Sequence, residues 1–311
     1  MPSMSGLVLN DRVNLILLSL SLISLTFYTI FDWSEITFVL IHILSFGYLH
    51  GATDRVIYFA EEKHNKTRYQ LLFLAIYLSI IATSLILWSI LPWLMLPLFL
   101  IYSSYHFGET HLEQAAIKGK FRKLIHFLWG AFILMGILLL NTNVVLEIIR
   151  LESLVQQKEL LENLGNFCFL GAGILILYVA YQVKEYASAV IEWVILFVLY
   201  QVVLNFPLMV SFTFFFVYWH SLKSLVHQYI YLQSIGGKEL LVKGFKEILI
   251  TGVLPLLVGI ILYFLFLHDA IDLNTLNWEE WVIALAASLS LPHVVLHGYK
   301  IYARRKLEGL N

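Results

Sequence analysis

One cysteine, Cys168, stands in 311 residues. A single thiol closes no intrachain disulfide and fits no cysteine-based metal site, so a disulfide framework is excluded and iron–sulfur chemistry is disfavoured. Charge is scarce too. Charged residues are 13% of the chain, against roughly a quarter in soluble domains, which leaves too little polar surface to coat a water-soluble globule. The net charge is −1, so there is no basic excess to recruit nucleic acid. The first apolar run lacks a basic region before it and a small-residue cleavage site after it, so it is expected to be a retained helix rather than a cleaved leader. Internal repeats and low-complexity segments are absent as well.

What fills the chain is hydrocarbon. Hydrophobic residues make up 60% and the mean hydropathy is +0.81. A bilayer core needs roughly 20 apolar residues per helix. With charged residues, Pro and Asn as breaks, ten spans are expected near 13–31, 35–60, 69–91, 92–117, 122–140, 166–183, 189–206, 207–232, 245–267 and 278–303. The reading is an all-α polytopic membrane helix bundle, a single integral membrane domain over residues 1–311. The second, fourth, eighth and tenth spans are long enough to tilt or protrude.

Cations give the orientation. The N-terminus, the loops after even-numbered spans and the C-terminus hold 16 of the 20 Lys and Arg; the opposite side holds Arg150 and Lys158. Arg55 and Lys223 fall inside spans. Positive charge stays in the cytoplasm, so both termini are expected there. The glutamate-bearing loop around 141–165 is expected outside, with room for a short surface helix.

Histidine is distributed unevenly. Of 11 His, eight lie on even-numbered spans. Counted from the outer end of its span, His50 is 15 residues in, His106 is 14, His220 is 13 and His293 is 15. At about 1.5 Å per residue all four lie at one depth, roughly 20 Å in. A lone histidine in such a helix commonly hydrogen-bonds a neighbour. Four ionisable groups at matched depth are costly in hydrocarbon and point to function, and neutral imidazole ligates Fe, Zn, Cu and Ni. All-nitrogen ligation with open positions suits redox-active Fe(2+) better than a closed zinc site. Asp54 and Glu109 share helix faces with His50 and His106 and could orient imidazoles on partner helices; pairing with Arg55 or Lys223 is the structural alternative. His227 and His297 lie deeper and could support or replace a ligand, whereas His42 and His111 read as interhelical hydrogen bonds. The aromatic run from Phe214 to Trp219 covers every helix face, so some rings must line the interior, as a wall for a long lipophilic substrate.

Other functions share these features. Intramembrane histidines also serve as relays in transporters and proton channels, but the outer halves of the even-numbered spans are nearly devoid of ionisable groups. Bis-histidine haem ligation is another reading. The clustered histidine boxes of di-iron desaturases are absent.

The segments His50-Gly51-Ala52-Thr53-Asp54, His106-Phe107-Gly108-Glu109, Trp219-His220-Ser221 and Leu291-Pro292-His293 resemble, in order and spacing, the bacterial and archaeal β-carotene 15,15′-dioxygenase family of the Brp/Blh type, named for bacteriorhodopsin-related proteins. The resemblance runs from about residue 45 to 298. Arg55 stands where many members have His, and Ser224 where many have a second His after Trp-His-Ser. The resemblance implies O2-dependent cleavage of β-carotene, or a related carotenoid, at its central double bond to give retinal. It implies histidine-bound Fe(2+), for which the residues at matched depth are His50, His106, His220 and His293, a home in a bacterial or archaeal cytoplasmic membrane, and a retinal-accepting opsin as a possible partner.

Overall fold

The computed structural model describes residues 11–47, 51, 54–61, 67–112, 115, 117, 119–149, 152–230, 232–233, 242, 244, 246 and 278–307. Among the described residues there are helices and no strands. Apart from residue 246, the span expected at 245–267 lies outside them.

The elements run in chain order as α1 (Asp11–Ile30), α2 (Glu35–His42), a π-helical segment (Ile43–Gly47), α3 (Asp54–Glu61), α4 (Thr67–Ile90), α5 (Pro92–Leu112), α6 (Arg122–Leu140), α7 (Thr142–Ile148), a 3-10 segment (Glu152–Gln157), α8 (Lys158–Val183), α9 (Tyr186–Asn205), α10 (Leu208–Phe214) and a second π segment (Phe215–Leu222). A helix over 223–230, here α11, continues that segment, and α12 spans Trp278–Leu307.

Among the described residues, six helical stretches are long and apolar enough to cross a membrane by length and composition: Arg12–Ile30, Thr67–Ile90, Arg122–Leu140, Leu154–Val183, Tyr186–Asn205 and Trp278–Leu296. α5 is 21 residues long but loses hydropathy through Tyr105, His106, Glu109, Thr110 and His111. α2 with its π continuation is a shorter apolar helix, Glu35–Gly47. Apolar exposure fits a hydrocarbon solvent: on α4, Leu71 is 62% and Ile90 64% exposed, and Ser84 and Trp88 are its buried residues. Such a surface in water would be an association site.

α8 starts at Lys158, eight residues before the expected span. Its first turns, Lys-Glu-Leu-Leu-Glu-Asn-Leu, form helix readily, and Lys158 pairs with Glu162 one turn on at 3.6 Å, a geometry that supports an exposed helix. The region read as a loop therefore holds α7, the 3-10 segment and this extension.

The chain divides into two compact units, one of Met1–His42 with Leu98–Ser224, the other of Ile43–Pro97 with Leu225–Asn311. The chain passes from one to the other at irregular points of its helices: the start of the first π segment, Pro97 inside α5, and two residues beyond the second π segment.

In the first unit α6 lies along α8, α9 lies beside α8, α1 packs on α9 and on the Phe215–Leu222 segment, and α10 packs on α2. α5 and α6 meet backbone to backbone. A Cβ added at Gly108 would fall 1.7 Å from the His126 carbonyl oxygen, and one at Gly130 would fall 1.9 Å from the Ser104 carbonyl oxygen. Small residues at both positions permit this approach. Lys184, in the left-handed conformation at φ 61°, closes α8 and turns the chain toward α9. In the second unit α12 packs along α4, pinned by a buried hydrogen bond of 2.9 Å from the Ser288 hydroxyl to that of Ser84.

Candidate metal centre

In the first unit His106 comes from α5 and His220 from the second π segment, and each is 2% exposed. Their ring centres are 4.9 Å apart at an interplanar angle of 72°. Phe107 lies 4.3 Å and Phe216 5.7 Å from the His220 ring, and Phe215 meets Phe107 edge-on at 5.5 Å. Phe214 through Ser221 are all buried, as the apolar sequence demands of a helix hydrophobic on every face. The π form has a consequence for register. Insertion of one residue turns everything beyond it by about 100° relative to an α-helix of 3.6 residues per turn. His220 therefore points where a plain helical wheel would not place it.

Two imidazoles bound to one ion at about 2.0–2.1 Å have ring centres roughly 4.5–5.2 Å apart. The observed 4.9 Å and edge-to-face angle fit that arrangement. The donors are nitrogens in an aromatic shell, the chemistry a ferrous site would need.

In the second unit His293 of α12 meets Asp54, the first residue of α3. Nδ1 of His293 donates to both carboxylate oxygens, at 2.8 and 2.9 Å. The Tyr77 hydroxyl of α4 donates to Asp54 Oδ2 at 3.1 Å. His293 is 3% and Asp54 4% exposed. A proton held on Nδ1 puts the imidazole lone pair on Nε2, the tautomer of carboxylate–histidine–metal arrangements. Pro292 immediately precedes His293 inside α12; lacking an N–H, it leaves the Ser288 carbonyl without its usual helical donor.

His50 lies outside the described residues, as does the side chain of His297. Gly51 is described, and a Cβ there would sit 3.5 Å from the Tyr77 hydroxyl. His227 is half-buried on α11. Glu109 accepts a hydrogen bond from the Tyr105 hydroxyl at 2.8 Å, one turn back on its own helix. Asp54, placed by its spacing on the face of His50, orients the imidazole of another helix.

His42 makes the interhelical hydrogen bond expected of it: its Nδ1 donates to the Phe38 carbonyl at 2.7 Å, and its Nε2 accepts from Ser24 of α1 at 2.7 Å. His111 belongs to a buried polar cluster in which sequence reading notes Lys223 but misses Glu192 and Asn14. Its Nε2 meets Glu192 Oε2 of α9 at 3.0 Å. Lys223 Nζ lies 3.4 Å from Glu192 Oε1 and 3.4 Å from His111 Nδ1. Asn14 of α1 donates to Glu192 Oε1 at 3.2 Å, and Trp129 stacks on the His111 ring at 3.8 Å. The sequence did carry a signal: Glu192 is the lone carboxylate of an otherwise apolar helix, and such a charge demands a partner.

Among the described residues no three His, Cys, Asp or Glu groups converge on a single point; the histidines appear as the pair His106–His220 and as the Tyr77–Asp54–His293 chain. The sequence model of a protein family described as beta-carotene 15,15'-dioxygenase matches residues 41–299. No curated protein and no solved structure matches the chain.

Proposed function

The chain belongs to the β-carotene 15,15′-dioxygenase family and is a carotenoid-cleavage enzyme, and from that premise we propose a membrane-embedded, non-haem iron dioxygenase that cuts β-carotene or a related carotenoid at its central double bond to give retinal. The observation that carries this reading is the buried His106–His220 pair, which brings two of the four family motifs together inside an aromatic shell.

In this reading Fe(2+) is held by His50, His106, His220 and His293, a set resting on their matched depth in the sequence. Bound ferrous iron would supply the redox chemistry through which ground-state O2 reacts with a polyene. The chain's own residues do the rest. Asp54 keeps the His293 proton on Nδ1, and Tyr77 holds the carboxylate. Phe107 and Phe216 pack on the His220 imidazole, and Phe215 backs Phe107; this apolar shell would keep water from the site. The net reaction breaks one carbon–carbon double bond and gives each carbon one oxygen atom of O2, yielding two aldehydes.

The whole chain is one membrane domain of ten spans with both termini in the cytoplasm of a bacterium or archaeon, and retinal passes to an opsin. The apolar helices and the 16-to-2 cation split support that placement. Expression in cells that accumulate β-carotene, followed by chromatography, should convert the pigment to retinal. Undiminished β-carotene in cells that contain the iron-replete, membrane-inserted protein would refute the activity.

A further inference from the structure

We infer that the buried cluster of Asn14, His111, Glu192 and Lys223 is a positioning device that selects the helical register of the Phe215–Leu222 segment and thereby aims His220 at His106. The inference rests on the proposed metal reading for its purpose, but its geometry stands in the first unit alone. Asn14 and Lys223 are 0% exposed, Glu192 2% and His111 3%. One set of protons satisfies every contact. His111 donates from Nε2 to Glu192 and accepts at Nδ1 from the Lys223 ammonium, while Glu192 also takes Asn14 and Lys223 on Oε1. The Glu192 and Lys223 charges cancel around a neutral imidazole.

The cluster sits where register matters. Lys223 is three residues past His220, and its backbone N–H bonds the His220 carbonyl. His111 is five residues past His106 on α5, roughly one and a half turns along. The intervening segment reads Phe-Phe-Val-Tyr-Trp-His-Ser-Leu. Its aromatic groups pack in a π or an α register alike, because dispersion contacts between apolar rings carry little direction. An ammonium that must reach one carboxylate does have direction. Shifting the register by one residue swings Lys223 by about 100° and strands both charges. A buried ion pair adds little net stability, and its best-attested use is to specify register.

The test uses the full chain in detergent and the double variant Glu192→Leu/Lys223→Met, which replaces both charges with apolar groups of similar size. Thermal unfolding reports folding, and Co(2+) titration with the visible ligand-field spectrum reports the imidazoles. In parallel, His106→Cys/His220→Cys is introduced with and without the double substitution, and cross-linking by a short bifunctional thiol reagent is read by mass spectrometry. The expected result is a variant that still folds and unfolds cooperatively, binds Co(2+) about 10–100-fold more weakly with an altered spectrum, and loses the cross-link. Wild-type cobalt affinity and spectrum together with an intact cross-link would overturn the inference, as would a double variant that fails to fold, since the cluster would then serve stability. If the wild-type chain binds no Co(2+), the metal reading fails by itself, and the cross-link alone decides whether the cluster sets the register.

Discussion

At the scale of single residues, the chemistry separates ligands from the groups that aim them. His106→Ala or His220→Ala removes one of two facing imidazoles, and His293→Ala removes the ring that Asp54 holds. Each is expected to abolish both iron retention and carotenoid cleavage while the chain still inserts, and His50→Ala is expected to do the same. Elemental analysis of the purified variants beside a retinal assay checks this; two of the four with wild-type iron and activity would defeat the ligand set. Asp54→Asn keeps the shape but not the charge that fixes the His293 tautomer, and should cost about 10–100-fold in metal affinity or activity. His42→Ala should keep substantial activity, because both its nitrogens are occupied by Phe38 and Ser24. Glu192→Gln alone leaves the Lys223 ammonium buried without its charge partner, a change that costs about 3–5 kcal/mol in comparable sites, measurable as a lowered midpoint in thermal unfolding.

At the scale of elements, the α5–α6 contact explains a motif glycine. Gly108 lies in the His-Phe-Gly-Glu segment, yet the structure ties it to packing: its missing Cβ is what lets the His126 carbonyl approach. Gly108→Ala forces backbone apart from backbone, with no flexible side chain to yield. The expected loss reaches or exceeds the upper end of the about 1–3 kcal/mol usual for overpacking. Gly130→Ala, against the Ser104 carbonyl, should behave alike. Gly298→Ala on α12 is the control: among the described residues nothing lies within 4 Å of the added carbon, and alanine is worth about 0.8–1.0 kcal/mol over glycine inside a helix. Thermal unfolding of the three variants should therefore give two losses and one small gain. Equal midpoints would show that α5 and α6 do not pack as closely as described.

At the scale of the whole molecule, the distribution of cations sets the expected topology. Reporter fusions or cysteine labelling should place the C-terminus and the loops at 61–68, 113–123 and 233–246 in the cytoplasm, because those segments carry most of the 20 Lys and Arg. A C-terminus found on the side opposite the N-terminus would break the ten-span count, since an even number of spans returns the chain to the side it started from. Among the described residues, six helices meet the length and hydropathy of a span directly. α5, and the two stretches interrupted by π segments, would complete spans only by burying polar side chains against other helices, which is how ionisable groups are accommodated in hydrocarbon.

The all-helical character, the positions of α1, α4, α6, α9 and α12, and the family were legible from sequence, because each depends on short-range quantities: apolar run length, breaking residues and motif order. So were the functional histidines as a class, since polar groups are rare in such runs. Tertiary structure decided who faces whom. His106 meets His220 only because the chain winds as a π helix over Phe215–Leu222, and no helical wheel drawn at 3.6 residues per turn carries that rotation. Asp54 serves His293, 239 residues away, and Lys223 finds Glu192 rather than Asp54 or Glu109. In a bilayer, lipid covers apolar side chains as well as a neighbouring helix does, so apolar surface by itself selects no partner; pairing between distant polar groups is settled by the few geometries that satisfy every buried charge, and those exist only once the helices are packed.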